Sequence, residues 1–125
     1  MIHGIGVDIL SMERLKPLMN TPNDPFFRVY TAAERAEAAA SPDPLCYYAG
    51  RFAAKEAVFK ALSLSGDRVR LSDIETLRGA YGQPVVTLHG TLKAHAEAQN
   101  ITAVHLSLSN DPPYVVAYAV CEKQG

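Results

Sequence analysis

The chain opens on a strict alternation. Across residues 2–9, Ile5, Val7 and Ile9 fall on one side and Gly4, Gly6 and Asp8 on the other, the period-two signature of a strand. One face is apolar; the other is nearly bare, a carboxylate standing beside two glycines. Glycine weakens a strand but marks close approach of a ligand or of another backbone, so either a ligand or a packed helix suits that face. The period then lengthens. Ser11 is placed to cap a short helix over 12–19, with Leu15, Leu18 and Met19 as its buried stripe. Residues 20–25 carry two prolines and form a break. Thr31 and Glu34 have the spacing of a capping box. The helix they open ends by Ser41-Pro42-Asp43-Pro44, where Pro44 suits the first turn of the next one.

That next helix, about 45–64, is the longest element predicted. Phe52, Val58, Phe59 and Leu62 share an arc of about 120°, and Arg51 and Lys55 fall inside it. Ala53, Ala57 and Ala61 make a small-residue face, with Glu56 and Lys60 at the border. Cations inside an apolar arc break the local pattern, as functional sites often do. The plainer alternatives are that Arg51 and Lys55 snorkel outward and that Glu56 and Lys60 form an i,i+4 pair. Beyond Gly66 strands are predicted over 73–78 and 84–89, joined by a hairpin at 79–82. A helix over 91–99 follows, with Asn100 placed to end it. Residues 103–109 alternate, Val104, Leu106 and Leu108 against His105, Ser107 and Ser109. After a turn at 110–113, residues 114–121 are apolar on both faces and belong in a sheet centre or at an interface. Strand, three helices, two strands, helix, two strands is an α+β order with mostly antiparallel pairing, in a single domain spanning 1–125.

Composition narrows the function. With 125 residues and a net charge of −1, the chain lacks the basic balance of a nucleic-acid or polybasic membrane binder. No apolar run approaches the ~20 residues of a membrane span. The N-terminus enters a strand with no signal-peptide pattern. Cys46 and Cys121 lie far apart without metal-ligand spacing, and a reduced cytoplasmic setting is expected. There is no phosphate-binding glycine loop of the G-x-x-x-x-G-K type, no dinucleotide fingerprint and no G-x-S-x-G elbow. His3, His89 and His95 are scattered, whereas His105 shares a strand face with Ser107 and Ser109, a surface that suits either phosphate or plain solvent. Asp8 and Glu56, on separate rigid elements, are what a Mg²⁺ site needs when phosphate supplies the other ligands.

The residues also resemble a known family. Gly4-Ile-Gly-Val-Asp8 with Glu13-Arg14-Leu15, Phe27-Arg-Val-Tyr-Thr31 with Glu34, and above all Gly50-Arg-Phe-Ala-Ala-Lys-Glu-Ala-Val-Phe-Lys-Ala-Leu62 resemble the bacterial holo-acyl-carrier-protein synthases, small 4'-phosphopantetheinyl transferases. Gly82-Gln-Pro84, Leu88-His-Gly90 and His105-Leu-Ser-Leu-Ser109 follow in the family's order. The resemblance implies that fold, a homotrimer with each active site between neighbours, and transfer of the phosphopantetheine arm of coenzyme A to a serine of an apo acyl carrier protein. It implies Mg²⁺ held by Asp8 and Glu56, and Lys60 stabilising pyrophosphate charge. Glu56, directly or through a metal-bound water, is the expected base. Arg51, Lys55, Pro84 and His105 become coenzyme A contacts, and Arg14, with Arg28 and Lys16, a docking surface for an acidic carrier. Two positions depart from the pattern. Asn110 stands where the family commonly has a histidine, and it cannot titrate. The family's glycine-rich stretch is here Ser63-Leu-Ser-Gly66, with one glycine. These departures motivate the alternative of a non-catalytic carrier- or nucleotide-binding module.

Overall fold

A computed structural model describes residues 1–20, 25–64 and 69–125. Its elements follow the predicted order: β1 (Ile2–Ser11), α1 (Met12–Met19), α2 (Ala32–Ala39), α3 (Pro44–Leu62), β2 (Ile74–Arg78), β3 (Pro84–Leu88), α4 (Gly90–Ala98), β4 (Ile101–Asp111) and β5 (Tyr114–Lys123), with single 3₁₀ turns at Pro25–Val29 and Leu71–Asp73. β1, β5 and β4 form an antiparallel sheet in that order, and β2 and β3 pair as a separate hairpin. The fold is α+β, as expected. β5 is the central strand, in keeping with its apolar residues on both faces.

The local signals explain most element ends. Thr31 accepts from the Glu34 backbone while Glu34 accepts from the Thr31 backbone, a complete capping box. Asp43 caps α3 through the Cys46 N–H, and Pro44 occupies its first turn. Ser63, at φ 54°, ends α3 in the left-handed region, two residues earlier than predicted. Asn100, at φ 61°, follows α4 in the same conformation. Two expectations fail. Ser11 makes no side-chain cap for α1. The buried stripe of α1 is Met12 and Leu15, not Leu15, Leu18 and Met19, because Met12 is held against Pro113 by its backbone N–H (2.7 Å). Strand β4 also runs on through Asn110 and Asp111, which pair with Val115 and Tyr114, so the turn is tighter than predicted. Of the loop departure, Ser65 and Gly66 lie outside the described residues.

The core lies between α3 and the inner face of the three-stranded sheet. That face is graded in size. β1 offers Gly4 and Gly6, β5 offers Ala117, Ala119 and Cys121, and β4 offers Val104, Leu106 and Leu108. Small residues of the helix, Ala53, Ala57 and Ala61, are wholly buried against it. Gly6 is so close that a β-carbon there would sit 2.0 Å from the Ala57 carbonyl oxygen; at Gly4 it would sit 2.2 Å from that of Ala61. A packed helix, one of the two occupants the bare face allowed, therefore covers the glycines. The replacement Gly6→Ala is expected to destabilise the chain by about 3 kcal/mol or more, since a backbone carbonyl cannot step aside. Urea unfolding measures this, and a variant as stable as the parent contradicts the contact.

Candidate active site

The glycine contacts set where the acids meet. Gly4 lies against Ala61 and Gly6 against Ala57, so β1 runs antiparallel to α3. Asp8, on the same face, stands about 6.6 Å further along at ~3.3 Å per residue, which is about four residues of helix at ~1.5 Å each. That places it beside the turn of α3 carrying Glu56. Helical side chains lean toward the N-terminus, and Lys60 does so: its Nζ donates to the Val7 carbonyl (2.9 Å) and lies 3.4 Å from Asp8 Oδ1. Lys60 is half exposed (52%), and the Asp8 side chain is mostly covered (19%). Glu56 is partly buried and makes no hydrogen bond or ion pair with another described residue. The i,i+4 pairing of Glu56 with Lys60 does not form, because Lys60 turns to β1.

This donor set fits a magnesium ion. Asp8 and Glu56 stand on rigid elements packed against each other, and the Lys60 ammonium lies 3.4 Å from Asp8. No group of three or more acids, histidines or cysteines that could hold a metal occurs among the described residues; a Mg²⁺ ion held by these two carboxylates would take water or phosphate oxygens as further ligands.

Lys55 corrects an expectation. Neither it nor Arg51 snorkels outward. The Lys55 side chain is 0% exposed, as is that of its partner Glu34, at 2.8 Å. Its ammonium also donates to the carbonyls of Leu71 and Ile74, so its three protons are spent in the interior and none is left for a phosphate. Glu34 in turn accepts from the backbone N–H of Thr31 and of Thr76. The network ties α2, α3 and β2 together. Burial pulls the lysine below its ordinary range, and the Glu34 carboxylate opposes that shift. The capping-box spacing pointed to Glu34, but its second role was missed. A buried lysine needs an acid, and that requirement was the available signal.

Arg51 is also buried, 6% exposed. Its guanidinium lies 4.4 Å over the Tyr47 ring and 3.6 Å from Glu37, while its Nε finds no acceptor among the described residues. It lines an open cleft of ≈ 500 Å³ together with Cys46, Tyr47, Arg78, Ser109 and Asn110. Neither Asp8 nor Glu56 lines this cleft. Arg78, Tyr47 and Cys46 were not singled out from the sequence; only the fold brings the end of β2 against α3. Glu37 backs this wall, bonded to Tyr47 and to the Arg78 backbone. Burial raises its carboxyl, but bonds from the Tyr47 hydroxyl and the Arg78 backbone, with Arg51 nearby, outweigh that and hold it below its usual range.

The other candidates are dispersed. His105 lies on the outer face of the three-stranded sheet and bonds Glu122. Pro84 opens β3 opposite Arg78. Arg14 and Lys16 are exposed on α1, and Arg28 is exposed on the first 3₁₀ turn.

Comparison with known proteins identifies the family. The family model of the 4'-phosphopantetheinyl transferase superfamily matches residues 4–119. The chain belongs to that superfamily. It is 40% identical to the holo-[acyl-carrier-protein] synthase of Solidesulfovibrio magneticus over 98% of its own length and 99% of the relative's. The crystal structure of holo-[acyl-carrier-protein] synthase from Neisseria meningitidis superposes with a TM-score of 0.89 at 36% identity, covering 98% and 100% of the two chains. A Chronobacterium ammoniagenes relative, solved as a complex with CoA, superposes at 0.86 with 28% identity over 98% of each chain.

Within this superfamily member, the buried ion pair makes an asymmetric prediction. Glu34→Ala strands a buried ammonium and is expected to cost ~3–5 kcal/mol. Adding Lys55→Met removes that charge and should recover part of the loss. A double variant less stable than Glu34→Ala in denaturant titration would show that Lys55 packs well without its acid.

Proposed function

We propose that this chain transfers the 4'-phosphopantetheine arm of coenzyme A to a serine hydroxyl of an apo acyl carrier protein, giving the holo carrier and adenosine 3',5'-bisphosphate. One observation carries the reading. The helix contact at Gly4 and Gly6 seats β1 on α3, with Lys60 3.4 Å from Asp8 and Glu56 one turn before Lys60, in a chain whose relatives bear the synthase name along nearly its whole length.

The serine oxygen attacks the phosphorus that bears the pantetheine arm. The bond from that phosphorus to the bridging oxygen breaks, and the adenosine bisphosphate leaves. Glu56 takes the serine proton, which its lack of a described partner leaves it free to do. Lys60, half exposed on a flexible stem, balances the charge that gathers on the leaving phosphate. Asp8 and Glu56 would hold Mg²⁺, whose bound charge neutralises the pyrophosphate and polarises the phosphorus. Arg51, which lines the cleft, is the phosphate contact there. Pro84 and His105 face the coenzyme A of a neighbouring site, and Arg14 and Arg28 present exposed cations to an acidic carrier. Two free cysteines suit a cytoplasmic setting, and among the described residues no helix is long and apolar enough to cross a membrane.

A homotrimer is part of the proposal. Ile5, Val7 and Ile9 are 58%, 50% and 64% exposed, and Tyr118, across from Val7, is 45% exposed. An apolar sheet face of this kind calls for another protein surface. Its placement asks only for a second copy; the number three rests on the family likeness.

Two outcomes are expected. Incubation with coenzyme A, Mg²⁺ and an apo carrier should add the mass of phosphopantetheine to the carrier. The variants Asp8→Ala and Glu56→Ala should each slow this about a hundredfold or more, and full activity in either removes that acid from the mechanism. Separately, Val7→Lys should convert the assembly to a folded monomer in light scattering, with its circular dichroism unchanged. A variant that keeps the parent's size places the interface elsewhere.

A further inference from the structure

Cys46 sits at the third position of α3, where its backbone N–H is bound by the cap Asp43. The residue is partly exposed on the wall of the Arg51 cleft, and its sulfur accepts a hydrogen bond from Asn110 Nδ2 (3.2 Å). That bond holds the thiol in one orientation, along the cleft wall. A thiol alone would mean little. The cleft, however, also contains Arg51, 94% buried by its 6% exposure, with an Nε lacking any acceptor among the described residues. Exposed Arg78 stands on the same wall. Asp43 also lines the cleft and Glu37 lies 3.6 Å from Arg51, so the exposed guanidinium of Arg78 is the cation open to a ligand; a thiol beside it in a cleft of ≈ 500 Å³ describes a site for a small molecule with both sulfur and negative charge.

We propose that Cys46 is a modification site that forms a mixed disulfide with an anionic low-molecular-weight disulfide, and that the adduct closes the cleft to coenzyme A. The chemistry is thiol–disulfide exchange. Cys46 gives its proton to solvent, and its sulfur attacks one sulfur of the incoming disulfide. The S–S bond of that molecule breaks, the Cys46 S–S bond forms, and the other half leaves as a thiolate that takes a proton from solvent. The disulfide itself is the oxidant, so nothing further is required. Glutathione disulfide and the disulfide of coenzyme A share the needed chemistry. Cys121 serves as an internal control: it is wholly buried, and burial pushes its thiol up to about 11. The regulatory half of the proposal rests on Arg51 being a coenzyme A phosphate contact; the chemical half does not.

The test uses the full reduced chain, treated separately with glutathione disulfide, coenzyme A disulfide and neutral bis(2-hydroxyethyl) disulfide. Intact mass and peptide mapping follow the adduct, and carrier modification follows activity. The anionic reagents should modify Cys46 alone, and Cys46→Ser should take up nothing. Their rate advantage over the neutral disulfide should fall about fivefold in Arg78→Gln, the worth of one exposed charge contact, and should shrink with added salt. Between the two anionic reagents, the faster one identifies the source. Activity should fall in proportion to the modified fraction and return with dithiothreitol, while Cys46→Ser keeps its own rate throughout. No adduct on Cys46, or equal rates for neutral and anionic reagents, overturns the site. A full adduct with undiminished transfer overturns the regulation. If the reduced chain transfers nothing at all, the transferase reading has failed, and the adduct map still decides the site by mass.

Discussion

The structure depends first on a backbone contact, the seating of α3 directly on β1 at Gly4 and Gly6. A β-carbon at either position would collide with a helix carbonyl, so any side chain there would lift the helix from the strand. The shift would be small, but reacting groups misplaced by about 1 Å lose on the order of a hundredfold in rate. The neighbouring strand conforms to the same constraint. Ala117 and Ala119 of β5 face the helix beside the glycines, and Ala53, Ala57 and Ala61 answer from the helix. Farther from the glycines, β4 carries the larger Val104, Leu106 and Leu108 on this face.

Close approach fixes the distance of α3 but leaves its rotation open. A second anchor sets that. Taking Lys55 as zero and about 100° per residue, Ala57 and Ala61 fall at about 200° and 240°, and Glu56 and Lys60 at about 100° and 140°. The acid and the amine thus project between two clamps. On one side stand the carbonyls seated on glycine; on the other is an ammonium bound by Glu34 and two backbone carbonyls. The Lys55–Glu34 pair is costly to desolvate, and its net contribution to stability is modest at best. What it supplies is direction. It can be satisfied in one arrangement of α2, α3 and β2, and that arrangement sets the rotation of α3.

Much of this was legible in the sequence, for specific reasons. The alternation of β1 and β4, the Thr31–Glu34 box and the Pro44 start are local signals, and the element order followed from them. Asp8 and Glu56 stand out in the sequence because strand period and glycine placement isolate the first and cations crowd the second. Lys55 was misread for the opposite reason. Inside an apolar arc a lysine can reach out or pair inward, and the choice depends on an acid twenty-one residues away. Periodicity carries no information at that range. The cleft was hidden in the same way, since Arg78 and Arg51 meet only when the hairpin docks on the helix. Family likeness supplied substrate and carrier, which no spacing could.

The outer face of the sheet turns the usual pattern of a surface strand inside out. β1 places its glycines inward and its isoleucines and valine outward, and β5 is apolar on both sides. A sheet covered by a helix on one face and left apolar on the other has the surface that the proposed assembly would cover. The sites proposed for coenzyme A divide along the same line. Asp8, Glu56 and Lys60 gather where α3 meets β1, whereas His105 lies on the exposed face and Pro84 on the hairpin. In one chain these residues have no common surface. A second copy seated on the apolar face is the simplest way to give them one. The same residues that cannot be buried within the chain would then hold the two halves of the site together.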